Sequence, residues 1–270
     1  MEDTKSSSAP QRFTSADRVM WITTDRVFYA GLLGAPSLHS RGAIVAYVAT
    51  DGPLRVRLDG EDWRPTEVAV IQPHVRHEIA CEGRHVLNVS IEPETVDIEQ
   101  LPMLLRGNGA VEDPAFAAHV RRAHRRLVAP GAASDLAPSD FDLTFFGRPL
   151  PRRSLDRRIT AVLEGIRNNP AGPGSAAECA SQVNLSFSRF LHLFKEEVGI
   201  PFRNVRTWKR ARSLLHHVHP DSDLLNLALD IGYPDSTHFS HSIRQVYGLK
   251  PKDIIAGSRK LRVIAQAAAA

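Results

Sequence analysis

Two sets of short polar and cationic side chains recur with the same spacing: Ser188, His192 and Lys195, then Thr237, His241 and Arg244. Within each set the positions are i, i+4 and i+7, which is one face of a helix. Hydroxyl, imidazole and ammonium or guanidinium groups on such a face can bond base edges and neutralise phosphates.

The two sets belong to a repeat. Phe190 to Lys195 aligns with Phe239 to Arg244, and Gly199-Ile200 with Gly248-Leu249, at an offset of 49 positions. In the first copy Phe187, Phe190, Leu193, Phe194 and Val198 gather on one side of a helix over 186–197, and that side is expected to be core. The opposite side carries Ser188, Leu191, His192 and Lys195. The second copy predicts a helix over 236–247, with Phe239, Ile243, Val246 and Tyr247 inward and Thr237, Ser240, His241 and Arg244 outward.

Each of these helices follows a shorter one and a break, so each copy reads as a helix-turn-helix. Ser175-x-x-Glu178 is a capping box opening the first scaffold helix, and small Ala176, Cys179 and Ala180 allow close approach of its neighbour. In the second, Asp223 is a candidate N-cap for 224–231 and Gly232 a stop. Between the copies, 201–218 predicts one long helix opened by Pro201 and dense in Arg203, Arg206, Lys209, Arg210 and Arg212, which would fix the separation of two reading heads.

Over roughly residues 153–259 the chain resembles the AraC/XylS family of bacterial transcription regulators. The resemblance rests on Ser186-Phe187-Ser188-Arg189-Phe190-Leu191-His192-Leu193-Phe194-Lys195, on Gly199, Ala211 and Leu214-Leu215, on Ala228 with Ile231-Gly232-Tyr233-Pro234-Asp235-Ser236-Thr237-His238-Phe239-Ser240, and on Gly248 and Pro251. It implies seven helices in two helix-turn-helix units, with two recognition helices entering adjacent major-groove segments of an operator. Carried over by position, the base-reading sites are Ser188, Leu191 and His192, then Thr237 and His241. The wider contact set adds Ser186, Phe187, Lys195, Ser236, Ser240 and Arg244. The chain departs from the pattern at His192 and His241, where arginine is frequent, and at Thr207-Trp208, Ile243 and Ile254. The missing arginines leave the operator sequence open, since Arg to guanine is the commonest specific contact.

Charge is segregated accordingly. Residues 152–270 hold 18 Lys and Arg against 10 Asp and Glu, whereas residues 1–151 hold 16 against 20. A basic domain beside an acidic one is the electrostatic footprint of phosphate binding.

The first half has a different composition. Short β-favouring runs at 27–31, 43–48, 54–58, 68–71 and 86–91 are separated by Asp51-Gly52-Pro53, Asp59-Gly60 and similar turn signals, which predicts a small antiparallel barrel or sandwich. The run Val68 to Pro73 followed by His77 resembles the second half of the cupin barrel that many AraC/XylS proteins use as a sensor. The expected fold is therefore α+β, an N-terminal cupin-like barrel with helices and a C-terminal all-α double helix-turn-helix. His39, Tyr47 and His77 are the candidate effector-binding residues. Metal-binding cupins converge several His and a Glu; here only His77 matches, with His39, His74 and His85 nearby in sequence, so no metal and no cofactor are expected.

A helix over 113–129 has an apolar stripe of Phe116, Val120, Ala123, Leu127 and Val128, and its other face is arginine-rich. It either pairs two subunits into a homodimer or packs on its own barrel. The organisation expected is a disordered start over 1–18, a sensor over 19–129, a linker over 130–151 with Phe145-Phe146 as an anchor, a DNA-binding domain over 152–260 and an unstructured tail over 261–270. The 270 residues, 43% of them apolar, suffice for two cores. No run approaches a membrane span and the start lacks a signal core, so a cytoplasmic location is expected. Cys81 and Cys179 read as two reduced thiols. The partners implied are double-stranded operator DNA, an effector of unknown identity and, as a candidate, RNA polymerase, with no enzymatic activity. Two further readings stay open: a constitutive regulator whose barrel only dimerises, and a cupin-type metal sensor or enzyme. A polar-lined cavity would favour sensing, and a filled core dimerisation alone.

Overall fold

The computed structural model describes residues 13–131, 136–172, 174–217, 224–258 and 261–265. The N-terminal half is built of two sheets. β1 (Val19–Ile22), β2 (Arg26–Leu32), β3 (Ile44–Ala49), β6 (Val68–Ile71), β8 (His85–Ile91), β9 (Gly109–Val111) and a C-terminal β10 (Arg262–Ala265) form one, in the order β10-β1-β2-β8-β3-β6-β9. β5 (Arg64–Thr66), β4 (Leu54–Leu58) and β7 (His77–Cys81) form the other. Every pairing is antiparallel except β1 with β10.

The larger sheet is covered on both faces, and strand periodicity assigns its residues to them. In β3 all six residues are buried; Ile44, Ala46 and Val48 join one core while Val45, Tyr47 and Ala49 join another. β6 divides the same way, Val68 and Val70 against Ala69 and Ile71. The first core is capped by α2 (Pro114–Val128) and α3 (Asp140–Phe146). From them come Ala117, Val120, Ala123 and Leu127, and the rings of Phe141 and Phe145, which stack around Trp21 and Phe28. Each large side chain among these contributes roughly 1.5–3 kcal/mol of burial. A short α1 (Met103–Arg106) precedes β9.

These facts decide how one helix packs and shift the expected boundaries. The helix at 114–128 packs on its own sheet, so its apolar stripe is not available to a second subunit. The linker expected over 130–151 contains α3, which belongs to the N-terminal core; Phe145 anchors there and the connection is shorter. The start and tail are partly structured as well: Phe13 packs on the core, Ser15–Asp17 make one 3-10 turn, and Arg262–Ala265 form β10. Residues 1–12 and 266–270 lie outside the described residues.

The C-terminal half holds α4 (Arg157–Asn168), α5 (Ala176–Gln182), α6 (Phe187–Val198), α7 (Phe202–Ser213), α8 (Leu224–Asp230), α9 (Ser236–Tyr247) and α10 (Pro251–Ser258). α4, α5, α6 and the start of α7 share a core of Ile159, Leu163, Phe190, Phe194, Phe202 and Val205, to which no described sensor residue contributes. Leu227 of α8 and Phe239 and Ile243 of α9 instead join the second core of the N-terminal half, together with Trp208 of α7 and Ile231. The connecting helix is shorter than expected: α7 ends at Ser213, a 3-10 turn follows over Leu214–His216, and Val218 and the candidate cap Asp223 lie outside the described residues. Among the described residues no helix is long and apolar enough to cross a membrane.

Candidate nucleic-acid interface and interdomain cavity

The two copies fold alike for the same local reasons. α5 starts with the Ser175–Glu178 capping box, both of whose hydrogen bonds form. The turns before α6 and α9 are closed by equivalent backbone bonds, Leu185 N to Ala180 O and Tyr233 N to Ala228 O, both 2.9 Å. Ser186 caps α6 by accepting from Arg189 N, and Asp235 caps α9 by accepting from Thr237 N and His238 N. The bonds from His238 and Thr237 hold the Asp235 carboxyl below the usual carboxylate range. Both helices run 12 residues and stop at a left-handed glycine, Gly199 at φ 85° and Gly248 at φ 71°.

The outward faces are open. Ser186, Ser188, His192 and Lys195 on α6 are exposed and Leu191 is half-buried; on α9 Ser236, Thr237, His241 and Arg244 are exposed or partly so and Ser240 is half-buried. His192 lies 3.9 Å from Glu196, a turn further along α6. His238, which sequence reasoning leaves out of the contact set, is exposed beside them with Nδ1 2.7 Å from Asp235 Oδ2. Phe187 corrects one expectation. Its side chain is 54% exposed, so it does not belong to the core face on which the spacing puts it.

α7 departs further from the sequence reading. Of its cationic run, Lys209 and Arg212 face the sheet-rich half and are buried. Glu92, 2% exposed, accepts from Trp208 Nε1 (2.9 Å), Lys209 Nζ (2.7 Å) and Arg212 Nε (2.8 Å). Lys209 also pairs with Glu94, and Arg212 donates to the carbonyl of Thr23 at 2.8 Å. Burial alone would lower the Lys209 pKa, but Glu92 and Glu94 outweigh it and raise the value, so the ammonium is retained. Arg206 bonds the carbonyls of Gly172 and Gly174. These groups join parts of the protein together and are not free for phosphate.

Beside this ion cluster a cavity of about 340 Å³ lies between one face of the larger sheet and the helical half. Met20, Val27 and Tyr29 form its sheet side, and Trp208, Tyr247 and Leu249 its helical side. Ser37, His39, Asn88, Ser90, Asp253 and three arginines, Arg41, Arg84 and Arg212, add polarity to a largely apolar wall. The Arg41 guanidinium stacks between the rings of Tyr47 and Tyr247, at 5.6 and 5.4 Å, and its Nε is buried without a hydrogen-bond partner among the described residues.

The three candidate effector residues are brought together, but not equivalently. His39 and Tyr47 line the cavity, whereas His77 sits behind Tyr47 and outside the wall. The Tyr47 hydroxyl is 3.0 Å from His77 Nε2 and 3.5 Å from His39 Nε2, and His39 Nδ1 is 2.8 Å from the Ser37 carbonyl. Burial, with the Arg41 charge adding, pushes the His39 pKa down to about 4; burial, with His39 adding, pushes His77 well below its ordinary value. Both imidazoles are therefore neutral at pH 7, held by hydrogen bonds. Cys81 and Cys179 are free thiols.

Residues 179–256 match the family described as a helix-turn-helix domain. The chain is 30% identical over 71 residues to invasion protein InvF of Salmonella typhi, covering 26% of this chain and 33% of that protein. It is 30% identical over 106 residues to the HTH-type transcriptional activator RhaS of Klebsiella pneumoniae, covering 38% and 37%. The matches thus span about a third of these relatives. Over most of the chain the fold is similar to ToxT of Vibrio cholerae: the apo form of a ToxT variant superposes with TM-score 0.57 at 10% identity, covering 87% of this chain and 98% of that one. The unsaturated fatty acid-bound wild-type form superposes with TM-score 0.51 at 9% identity, covering 87% and 96%. That likeness extends the shared architecture to a sheet-rich N-terminal domain followed by a helical one. Residues 179–256, with their two helix-turn-helix units, are a helix-turn-helix domain, in keeping with the AraC/XylS resemblance.

Proposed function

We propose that the chain is a sequence-specific, double-stranded DNA-binding transcription regulator whose α6 and α9 read two adjacent major-groove segments. The observation that carries the reading is the pair of matched 12-residue helices, capped alike, each with an open face of hydroxyl, imidazole and cationic side chains. Ser188, Leu191, His192, Thr237 and His241 are the base-reading residues; Ser186, Phe187, Lys195, Ser236, Ser240 and Arg244 complete the contact. The test is selection of sites by the full-length chain from a random duplex pool, followed by a salt titration. Enrichment of a common sequence, with log affinity falling linearly in log salt, supports the reading; no enrichment and no salt dependence would overturn it.

The cavity favours a regulated protein over a constitutive one. Its apolar walls and the Arg41 guanidinium suit an elongated apolar molecule with one anionic end. An unsaturated fatty acid, the kind of molecule bound in the ToxT structure, has that chemistry. A fluorescent fatty acid such as cis-parinaric acid should bind the full-length chain and be released by Arg41→Met; binding unaffected by that change would place the anion elsewhere. His39 and Tyr47 serve as wall, and His77 supports Tyr47. The protein acts in the cytoplasm, where its DNA and RNA polymerase are found, and homodimerisation would have to use a surface other than the packed side of α2.

A further inference from the structure

The helical half is fastened to the sensor at both ends. Where the chain leaves the sensor, Val96 pairs with Arg152 and Asp97 N donates to the Pro151 carbonyl at 2.8 Å. Where it returns after α10, β10 lies parallel to β1, with Val19 opposite Arg262 and Ile22 opposite Ala265, and Arg262 N donates to the Arg18 carbonyl at 3.1 Å.

A four-residue parallel strand has little stability of its own. Side chains on either side of it fix its place. Leu261 packs with Met20, Ile22, Val27, Tyr29 and Leu215, and Ile264 packs on the core under α2 and α3. Leu261 also forms part of the cavity wall, as do Met20, Val27, Tyr29 and Leu215. Without β10, β1 would be an edge strand with a row of unpaired backbone groups.

The two helix-turn-helix units differ in what holds them. The unit containing α6 has a core free of described sensor residues, while α9 is held by the sensor loop 37–40. There Ser40 N donates to the Gln245 carbonyl at 3.0 Å, and the Ser37 hydroxyl donates to the Gly248 carbonyl at 2.7 Å. A side chain at Gly248 would collide with Ser37 and His39, so the two surfaces meet at backbone distance.

We infer that residues 261–265 are a C-terminal latch: seated on β1, the strand holds the α8–α10 unit against the sensor, and its release frees that unit, and with it the second reading helix, to move relative to the first. The latch is distinct from the ion cluster around Glu92, which holds α7.

Hydrogen exchange on the full-length chain, with neither DNA nor ligand present, tests this separately from the regulator reading. Two variants unseat the strand. One is truncated after Lys260; the other, Arg262→Pro, removes the amide that bonds Arg18. Both should speed exchange by roughly tenfold or more at β1 and also at the loop 37–40 and the end of α9, while β8 in the sensor core keeps its native rate. Val263→Thr, at an exposed position of the same strand, should change neither. Faster exchange confined to β1 would reduce β10 to an edge decoration and overturn the inference, as would native exchange at all three places.

Discussion

Replacing Glu92 with Gln should loosen the joint between the sensor and α7. The Glu92 carboxylate is the single acceptor shared by Trp208 Nε1, Lys209 Nζ and Arg212 Nε, at 2.7 to 3.0 Å, and all the charged side chains involved are 8% exposed or less. Two cations face two carboxylates there, so the buried charge is balanced. Glu92→Gln leaves Lys209 with Glu94, takes the carboxylate partner from Arg212 and turns an NH2 group toward donors. Removing one member of a buried pair costs about 3–5 kcal/mol. The lower end applies, because Lys209 keeps Glu94 and Arg212 keeps the Thr23 carbonyl. A loss of about 3 kcal/mol is roughly a hundredfold in the equilibrium constant. Urea denaturation at pH 7 would read it as a lower midpoint. Lys209→Met alone should cost a similar amount by stranding the carboxylates, and the double variant should lose less than the sum of the two, with a coupling of about 1–3 kcal/mol. Since the Lys209 pKa is raised, its contribution is fully present below the ordinary lysine value and is lost only as pH rises through the higher folded value, so the effect should be flat from about pH 6 to 9. Strict additivity, or a shift of Glu92→Gln below about 0.5 kcal/mol, would refute a charge-balanced joint.

His39, with its pKa lowered to about 4, must stay neutral in the fold; stability is complete above its unfolded pKa of about 6.5, falls as pH drops below that, and levels off near the folded value, a loss of about 3 kcal/mol. His39→Gln should flatten that part of the acid profile, and an unchanged profile would mean that other buried histidines carry it. Gly42→Ala should cost about 1–3 kcal/mol, because the added methyl falls on the Trp208 ring; limited proteolysis between the domains would detect it, and native resistance would contradict the docking described. Ser188→Glu and Thr237→Glu should each weaken binding to a selected site by about 1–3 kcal/mol, and loss at only one of them would leave a single reading helix.

The helical half is legible in the sequence because its signals are local. The 49-residue repeat and the capping box at Ser175 depend on near neighbours, and the helices expected over 186–197 and 236–247 form at 187–198 and 236–247. What escapes depends on residues far apart in the chain. The spacing of Lys209 and Arg212 in a basic run points to a phosphate-facing surface, and only the approach of Glu92, more than a hundred positions away, turns them inward. A partial signal is present at Trp208 and Ile254, which depart from the family pattern: the first bonds Glu92, and both line the interdomain cavity. β10 is hidden because four residues after a helix carry no strand periodicity, and its pairing with β1 spans nearly the whole chain. Spacing alone places Phe187 in the core, but at the start of α6 the face it occupies has no neighbour to cover it.

The most direct test of the central claim is a major-groove interference footprint of the full-length chain on a duplex that it has selected. Two protected blocks are expected on one face of the duplex, about one helical turn (roughly 10–10.5 base pairs) apart, with Ser188→Glu erasing one block and Thr237→Glu the other. A single block, or protection of the phosphate backbone without any base-specific interference, would contradict the assignment of two reading helices.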